Sequence, residues 1–464
     1  MVRCELARIN FFRALRLSLA ASVLALIAVP GWAAEAGAAG AGNGEPVAPP
    51  VVSAGAQRAY ETARDKLLQV RTLLRDQDSQ ASVGSGFVVS AAGHVITNYH
   101  VVSQVALEPK RFRLTYTRAD GASGPLELLA FDAVHDLALV RILPATSTTA
   151  AAATAPTGFT PLEFRPRDKE LANGERIFSL GNPLDIGFAV LEGNYNGLVA
   201  RSFYPQIFFA GALNPGMSGG PALDGDGRVI GINVATRLDG QQVSFLVPAR
   251  FAEDLLVKGR DAPPITGEVY EELTRQLRAH QALLVQRFLD QPWRTSGHGR
   301  YSIPVPQEEF MRCWGSSTRE ESKGLEYERS DCNMQSAVFI SLQLQTGNLA
   351  VRHEAYDGSK LGTLRFSHVY SFSFRNEYFG GPGTTPPQCK ERFVDRGGLP
   401  LRAVACLSAY RKLKGLYDLS VLVATVDAGT EGVQGRLDAR GIDFDNALRL
   451  TDHYIQGFAW NGSH

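Results

Sequence analysis

A chain of 464 residues with 47 Lys and Arg against 47 Asp and Glu carries no formal net charge, which excludes a global field drawing nucleic acid or an anionic membrane. With 44% hydrophobic residues, 20% charged residues and 46 glycines, it is a folded, turn-rich protein rather than a disordered one. The length exceeds one ordinary core, so roughly two domains are expected.

At the N-terminus Arg3, Arg8, Arg13 and Arg16 are followed by an apolar run from Leu17 to Val29 and by the small-residue stretch Gly31-Trp32-Ala33-Ala34-Glu35-Ala36. This order of charged, apolar and small residues is that of a secretory signal peptide, placed at residues 1–33. The apolar run is shorter than the roughly 20 residues a spanning helix needs, although an uncleaved anchor facing the periplasm is the alternative. A periplasmic or secreted protein is therefore expected, with no stable membrane insertion after cleavage. Residues 34–56, almost entirely Ala, Gly, Pro and Val, read as a flexible linker.

Gln57 to Lys66 reads as a short helix, and from Leu67 the apolar residues fall into strand-like groups: LLQVRTLL, GFVVS, HVITNYHVV, FRLTYT, LELLAF and LALVRIL. Between two such groups lies the low-complexity stretch Thr146 to Gly158, either a surface loop or the boundary between the halves of a double barrel. Gly267 to Pro292 spaces Val269, Leu273, Leu277, Leu283, Leu284 and Phe288 as an amphipathic helix. Alternation returns in AVFISLQLQ, LAVRHEAY, LRFSHVYSFSF, YDLSVLVATV and YIQGFAW, so residues 266–464 read as a second, mainly antiparallel β-domain of unknown role with a leading helix.

Of five cysteines, Cys4 falls in the segment expected to be removed. The even set Cys313, Cys332, Cys389 and Cys406 in an exported chain favours two disulfides; the rival zinc site lacks CxxC spacing and flanking histidines, and no metal is expected. Pairing in sequence order, Cys313 with Cys332 and Cys389 with Cys406, closes the shortest loops, though three pairings are open to four cysteines.

Three segments carry chemistry. Asn214-Pro215-Gly216-Met217-Ser218-Gly219-Gly220-Pro221 is a serine flanked by glycines, whose freedom lets the amides of Gly216 and Ser218 converge as an oxyanion hole. Gly84 to Val102 is a pair of strands turning at Ala91-Ala92-Gly93 and ending in Thr97-Asn98-Tyr99-His100. Asp132-Ala133-Val134-His135-Asp136-Leu137-Ala138-Leu139-Val140 sets an acid at the mouth of an apolar strand. A hydroxyl, a base and an orienting acid are what nucleophilic acyl transfer requires. His94 and His135 have no partner motif and read as structural or exposed.

These segments resemble the trypsin-like peptidase domain of the HtrA (DegP) serine proteases. The family reads GSGF then TN-x-HVV, D-x-A-x-L, and NPGNSGGP, the last matched here except for Met217. Leu180-Gly181-Asn182-Pro183, Val229 to Asn233 and Phe245 to Pro248 add to the likeness, which spans about Leu67 to Arg250. The resemblance implies a chymotrypsin-like double β-barrel over residues 57–260, a serine endopeptidase acting on polypeptide substrates, and no cofactor. It casts His100 as general base, Asp136 as its orienting acid and Ser218 as nucleophile. It places the base of the primary pocket at Ala212, with Leu213 beside it and Ala235 and Val243 on the wall, which suits small or medium aliphatic side chains. No GLGF-like PDZ loop follows Arg250, and no IVGG-like activation segment precedes Gly84, so neither form of regulation carries over. An oligomer is left open.

Two other readings use the same residues. A polypeptide-binding, holdase-like module would use the barrel without cutting, but that reading does not require all three residues to be present. An esterase of the α/β-hydrolase type would need the GxSxG elbow in a strand-turn-helix setting and the order Ser, Asp, His, which is not what this sequence shows.

Overall fold

A computed structural model of the chain describes residues 53–461 except 145–157, 237–241, 308, 319–323, 376–379, 382 and 428. The signal segment, most of the predicted linker and nearly all of the alanine-rich loop lie outside the described residues, as do Arg237 and Asp239, which lie close in sequence to the expected pocket residues Ala235 and Val243.

Six strands close the first barrel: β1 (Leu67–Leu74), β2 (Gln80–Val88), β3 (His94–Thr97), β4 (Phe112–Arg118), β5 (Ser123–Asp132) and β6 (Leu137–Ile142), in the order β1-β2-β3-β6-β5-β4. All neighbours are antiparallel. In β4 the alternation is direct, with Phe112, Leu114 and Tyr116 buried and the residues between them half-exposed. Six more close the second: β7 (Arg176–Gly181), β8 (Ala189–Leu198), β9 (Ile207–Ala210), β10 (Pro221–Leu223), β11 (Val229–Thr236) and β12 (Ser244–Pro248), in the order β10-β11-β12-β9-β8-β7. The first barrel ends before the alanine-rich stretch and the second begins after it. The architecture is thus mainly β with two closed antiparallel barrels, as the chymotrypsin-like fold requires.

Two local readings need correction. Helix α1 runs over Ala54–Ala63, so the linker stops short of residue 56. Ser53 Oγ accepts the Ala56 amide at 3.0 Å, and Ala56, Ala59 and Ala63 are buried, so a capped alanine-rich segment with one packed face folds as a helix. HVITNYHVV is not one strand: after Thr97 the chain turns into α2 (Tyr99–Leu107), which sets Val101, Val102, Val105 and Ala106 into the core at helical spacing.

Helix α3 (Ala249–Gly259) follows β12, and α4 (Tyr270–Asp290) leads onward. Its inner face is Leu273, Leu277, His280, Gln281, Leu284, Val285 and Phe288, whereas Leu283, expected inside, is 45% exposed.

Beyond α4 the strands are β13 (Arg294–His298), β14 (Tyr301–Val305), β15 (Met311–Ser317), β16 (Glu326–Met334), β17 (Val338–Ser341), β18 (Leu344–Thr346), β19 (Leu349–Asp357), β20 (Gln388–Arg396), β21 (Leu399–Ala409), β22 (Tyr417–Thr425), β23 (Glu431–Ile442) and β24 (Ala459–Trp460). Seven of them form one sheet in the order β15-β16-β19-β23-β22-β21-β20. The Cys313–Cys332 and Cys389–Cys406 disulfides join residues directly opposite in β15/β16 and β20/β21, so each bridge fastens an edge strand to its neighbour.

Three expected strands differ. LRFSHVYSFSF is helix α5 (Thr363–Ser373), where Phe366 and Tyr370, four residues apart, stack at 5.2 Å. YIQGFAW begins as the end of α6 (Phe444–Gln456) and contributes only the two residues of β24. AVFISLQLQ folds back on itself as the β17–β18 hairpin.

The core is continuous across the halves. One buried cluster joins Val70, Tyr99, Val101 and Phe131 of the first barrel to Leu273 and Leu277 of α4, Val338 and Ile340 of the hairpin, and Tyr410, Leu413 and Leu416. A second fills the space under the seven-stranded sheet.

Candidate active site

His100 stands in the first turn of α2 and Asp136 in the turn between β5 and β6. The Asp136 carboxylate binds both ends of that histidine: Oδ2 lies 2.6 Å from His100 Nδ1, and Oδ1 accepts the His100 backbone amide at 2.8 Å. The carboxylate thereby serves the helix N-terminus, where Asn98 makes no side-chain cap. Asn98 Nδ2 instead donates to the Asp136 carbonyl at 2.7 Å, and the Tyr99 amide donates to that same carbonyl at 3.2 Å. These two donors hold Asp136 at φ +56°, a left-handed conformation that a short polar side chain tolerates.

The imidazole keeps 29% of its side-chain surface open to solvent. Burial alone would lower its pKa; the charge of Asp136 and the hydrogen bond to it outweigh that effect and raise it above the ordinary histidine value.

Ser218 lies in the turn between β9 and β10, from the second barrel. Its carbonyl accepts the Ser85 amide at 2.7 Å, and the Ser85 carbonyl accepts Thr97 Oγ1 at 2.7 Å, so two bonds tie the serine turn to the strand leading to His100. The turn is packed too closely for side chains. A Cβ on Gly219, at φ +85°, would stand 2.2 Å from the Ser85 carbonyl oxygen, and one on Gly216, at φ +94°, 2.4 Å from that of Asn182. Among the described residues neither the Gly216 nor the Ser218 amide has an acceptor, so both donors remain free for a ligand oxygen. Ser218 Oγ donates to the Val234 carbonyl at 3.1 Å, and among the described residues no hydrogen bond joins it to His100. Rotation about χ1 redirects such a hydroxyl, and these contacts tighten in ligand complexes.

Two residues without an assigned role in the sequence brace this turn. Ser85 Oγ, fully buried, donates to the Gly216 carbonyl at 2.7 Å and accepts the Asn182 amide at 2.9 Å. Asn233, also fully buried, donates through Nδ2 to the carbonyls of Leu180 and Met217 and accepts Ser179 Oγ, while its backbone exchanges bonds with Gly219 and Gly220. Their signal lay only in the GSGF and GIN motifs, where they read as strand residues.

The expected pocket residues are dispersed in character. Ala212 is exposed; Leu213 is buried among Ile177, Phe209, Met217 and Leu246; Val243 is half-buried; and Ala235 pairs through its backbone with Phe245. His94 opens β3. It is buried with Nδ1 at 2.7 Å from Ser90 Oγ and Nε2 at 3.0 Å from the Arg260 carbonyl. His135 does have a partner: its Nδ1 lies 2.7 Å from Asp132 Oδ2, and its ring stacks on Phe251 at 3.8 Å. Among the described residues no group of three or more His, Cys, Asp or Glu is arranged to hold a metal.

Residues 84–232 match the family model of the trypsin-like peptidase domain. The chain is 31% identical over 215 residues to HhoB of Synechocystis sp., covering 43% of this chain and 47% of that protein. It is 27% identical over 239 residues to a DegP-like protein of Marinomonas sp., covering 48% and 47%. A serine endoprotease of Yersinia pestis, solved by crystallography, is 21% identical with a TM-score of 0.36, covering 45% of this chain and 67% of that one. The chain thus spans less than half the length of the two curated relatives.

Proposed function

We propose that the protein is a serine endopeptidase in which His100, Asp136 and Ser218 act as a triad, a reading supported by the match of residues 84–232 to the trypsin-like peptidase domain and by the similarity to DegP-like proteins. The observation that carries the reading is the Asp136 carboxylate held on His100 Nδ1 at 2.6 Å, which leaves Nε2 as the ring's acceptor nitrogen.

In this mechanism His100 takes the proton of Ser218 as the hydroxyl oxygen attacks the scissile carbonyl. The imidazolium so formed is stabilised by Asp136, which stays ionised. The amides of Gly216 and Ser218 receive the developing oxyanion; among the described residues neither has an acceptor. His100 then protonates the leaving amine, and water repeats the sequence on the acyl-enzyme.

Residues 57–260 are the catalytic portion in this reading, and residues 266–464 an appended β-rich portion. The primary pocket is assigned to Ala212, Leu213, Ala235 and Val243, without a carboxylate at its base; burying an unpaired arginine or lysine there would cost several kcal/mol, so cleavage should follow Ala, Val or Leu. The substrates proposed are exported or misfolded polypeptides, met in the periplasm or outside the cell. Among the described residues no helix is long and apolar enough to cross a membrane.

Unfolded casein offered to the mature protein and to Ser218→Ala tests the reading. Cleavage by the first and none by the second is expected. Absence of cleavage by both, with suppression of aggregation by both, would instead support a polypeptide-binding module.

A further inference from the structure

The hairpin formed by β17 and β18 belongs to the C-terminal half, yet it is built against α2. Val338 and Ile340, 4% and 1% exposed, enter the core shared with the first barrel, and Phe339 between them packs half-buried at the edge of that core, where the strand register shifts. There its ring lies edge-on to the imidazole of His100, with centroids 6.0 Å apart and an interplanar angle of 74°. It also meets the ring of Tyr99 at 6.4 Å.

Three polar contacts fix the hairpin in this position. Tyr99 Oη donates to the Ile340 carbonyl at 3.3 Å, Thr346 Oγ1 bonds Tyr410 Oη at 2.8 Å, and His280 Nε2 of α4 lies 2.8 Å from the Gly347 carbonyl just past β18. A hairpin bonded at both strands and packed on one face is a rigid wall rather than a loose loop. At its tip Leu342 is 82% exposed.

We propose that Phe339 is a specificity-determining residue of the catalytic cleft: a wall from the C-terminal half against which the polypeptide substrate lays a large apolar side chain flanking the scissile bond. The inference rests on the triad assigned above. The leaving nitrogen of the scissile peptide must come within hydrogen-bond reach of His100 Nε2, because His100 protonates it. Extended chain advances about 3.3 Å per residue, so a residue next to the bond passes the corner formed by His100 and Phe339. Phe339 is only half-buried, and covering its remaining apolar face with a Leu or Phe side chain removes both surfaces from water. A glycine at the same subsite leaves that face wet. The C-terminal half thereby takes part in choosing the bond that is cut.

The test is peptide-library profiling of the full mature chain, with fluorophosphonate labelling of wild type and Ser218→Ala run beside it. In the wild type one subsite flanking the bond should favour Leu or Phe over Gly. In Phe339→Ala that ratio of kcat/KM values should fall about tenfold, the loss appearing at this subsite and at no other. Phe339→Leu keeps apolar packing where the alanine variant does not fold, and a shallower wall should shift the preferred side chain toward larger ones. An unchanged subsite profile in the folded variants would overturn the proposal. So would a uniform rise in turnover at every subsite, which would make the ring a cover over the cleft instead of a wall. A wild type that neither labels nor cleaves overturns the triad and this inference together; labelling lost in Ser218→Ala with an unaltered profile overturns this inference alone.

Discussion

Asp136 grips His100 twice, Oδ2 on the ring nitrogen Nδ1 at 2.6 Å and Oδ1 on the backbone amide at 2.8 Å, so one carboxylate orients the imidazole and anchors the helix that carries it. The pH dependence of the reaction follows from that contact. Asp136 raises the His100 pKa above the ordinary histidine value of 6.5, and the neutral ring is the form that accepts the serine proton. Turnover is therefore lost as pH falls through the raised pKa, and kcat/KM for a peptide should reach half its plateau above pH 6.5. Asp136→Asn removes the cause of the shift, moving the acid limb to lower pH while lowering kcat by roughly four orders of magnitude. Rates measured from pH 5 to 9 check both; an acid limb unmoved by the substitution would contradict the assignment.

Ser85 should matter to the reaction although it touches no substrate in the proposed mechanism. Ser85→Ala leaves the Gly216 carbonyl and the Asn182 amide without their partner, which costs about 1–3 kcal/mol of stability. The Gly216 turn then loses its support, and kcat should fall by up to about a hundredfold with a smaller change in KM. Thermal melting and steady-state kinetics separate the two effects; an unaltered kcat in a destabilised variant would make Ser85 structural only.

Recognition from sequence succeeded where a feature is local. The strand groups of the first barrel, the glycine-flanked turn bearing Ser218 and the amphipathic α4 each announce themselves within a short window. What escaped depends on partners distant in the chain. Nothing in AVFISLQLQ tells that Phe339 meets His100, and nothing in GSGF tells that Ser85 holds the carbonyl of Gly216. Leu364 to Phe374 misled because alternating aromatic and polar residues satisfy a strand pattern, whereas stacking of Phe366 on Tyr370 satisfies a helix. Asn98 precedes α2 as a helix cap would, yet the capping is done by an aspartate from another turn.

His353 makes the C-terminal half acid-sensitive. Full burial lowers its pKa to about 3, and its Nε2 lies 3.1 Å from Tyr454 Oη. Between that value and the unfolded one near 6.5 the unfolded chain binds a proton that the folded chain does not, so stability falls as pH drops through this window. His353→Gln takes no such proton. The gap in melting temperature between it and wild type, measured from pH 7 to pH 4, should narrow steadily; a constant gap would show that His353 does not titrate in this way.

The two disulfides should each hold an edge of the seven-stranded sheet. Their loops span sequence separations of 19 and 17 residues, and closing each should contribute about 3 kcal/mol. Replacing Cys313 and Cys332 together, or Cys389 and Cys406 together, by serine should lower the denaturant midpoint without abolishing the barrels' signal. Free thiols at all four positions in the oxidised protein, found by peptide mapping, would contradict the pairing.

The central claim is that Ser218 is a nucleophile made reactive by His100. Covalent labelling of the mature protein with a fluorophosphonate probe tests it most directly, because the probe reacts only with an activated serine and needs no knowledge of the substrate. Mass spectrometry should find the adduct on the peptide containing Ser218, absent in Ser218→Ala and slowed by several orders of magnitude in His100→Ala. An adduct on any other serine, or equal labelling of wild type and Ser218→Ala, would contradict the account.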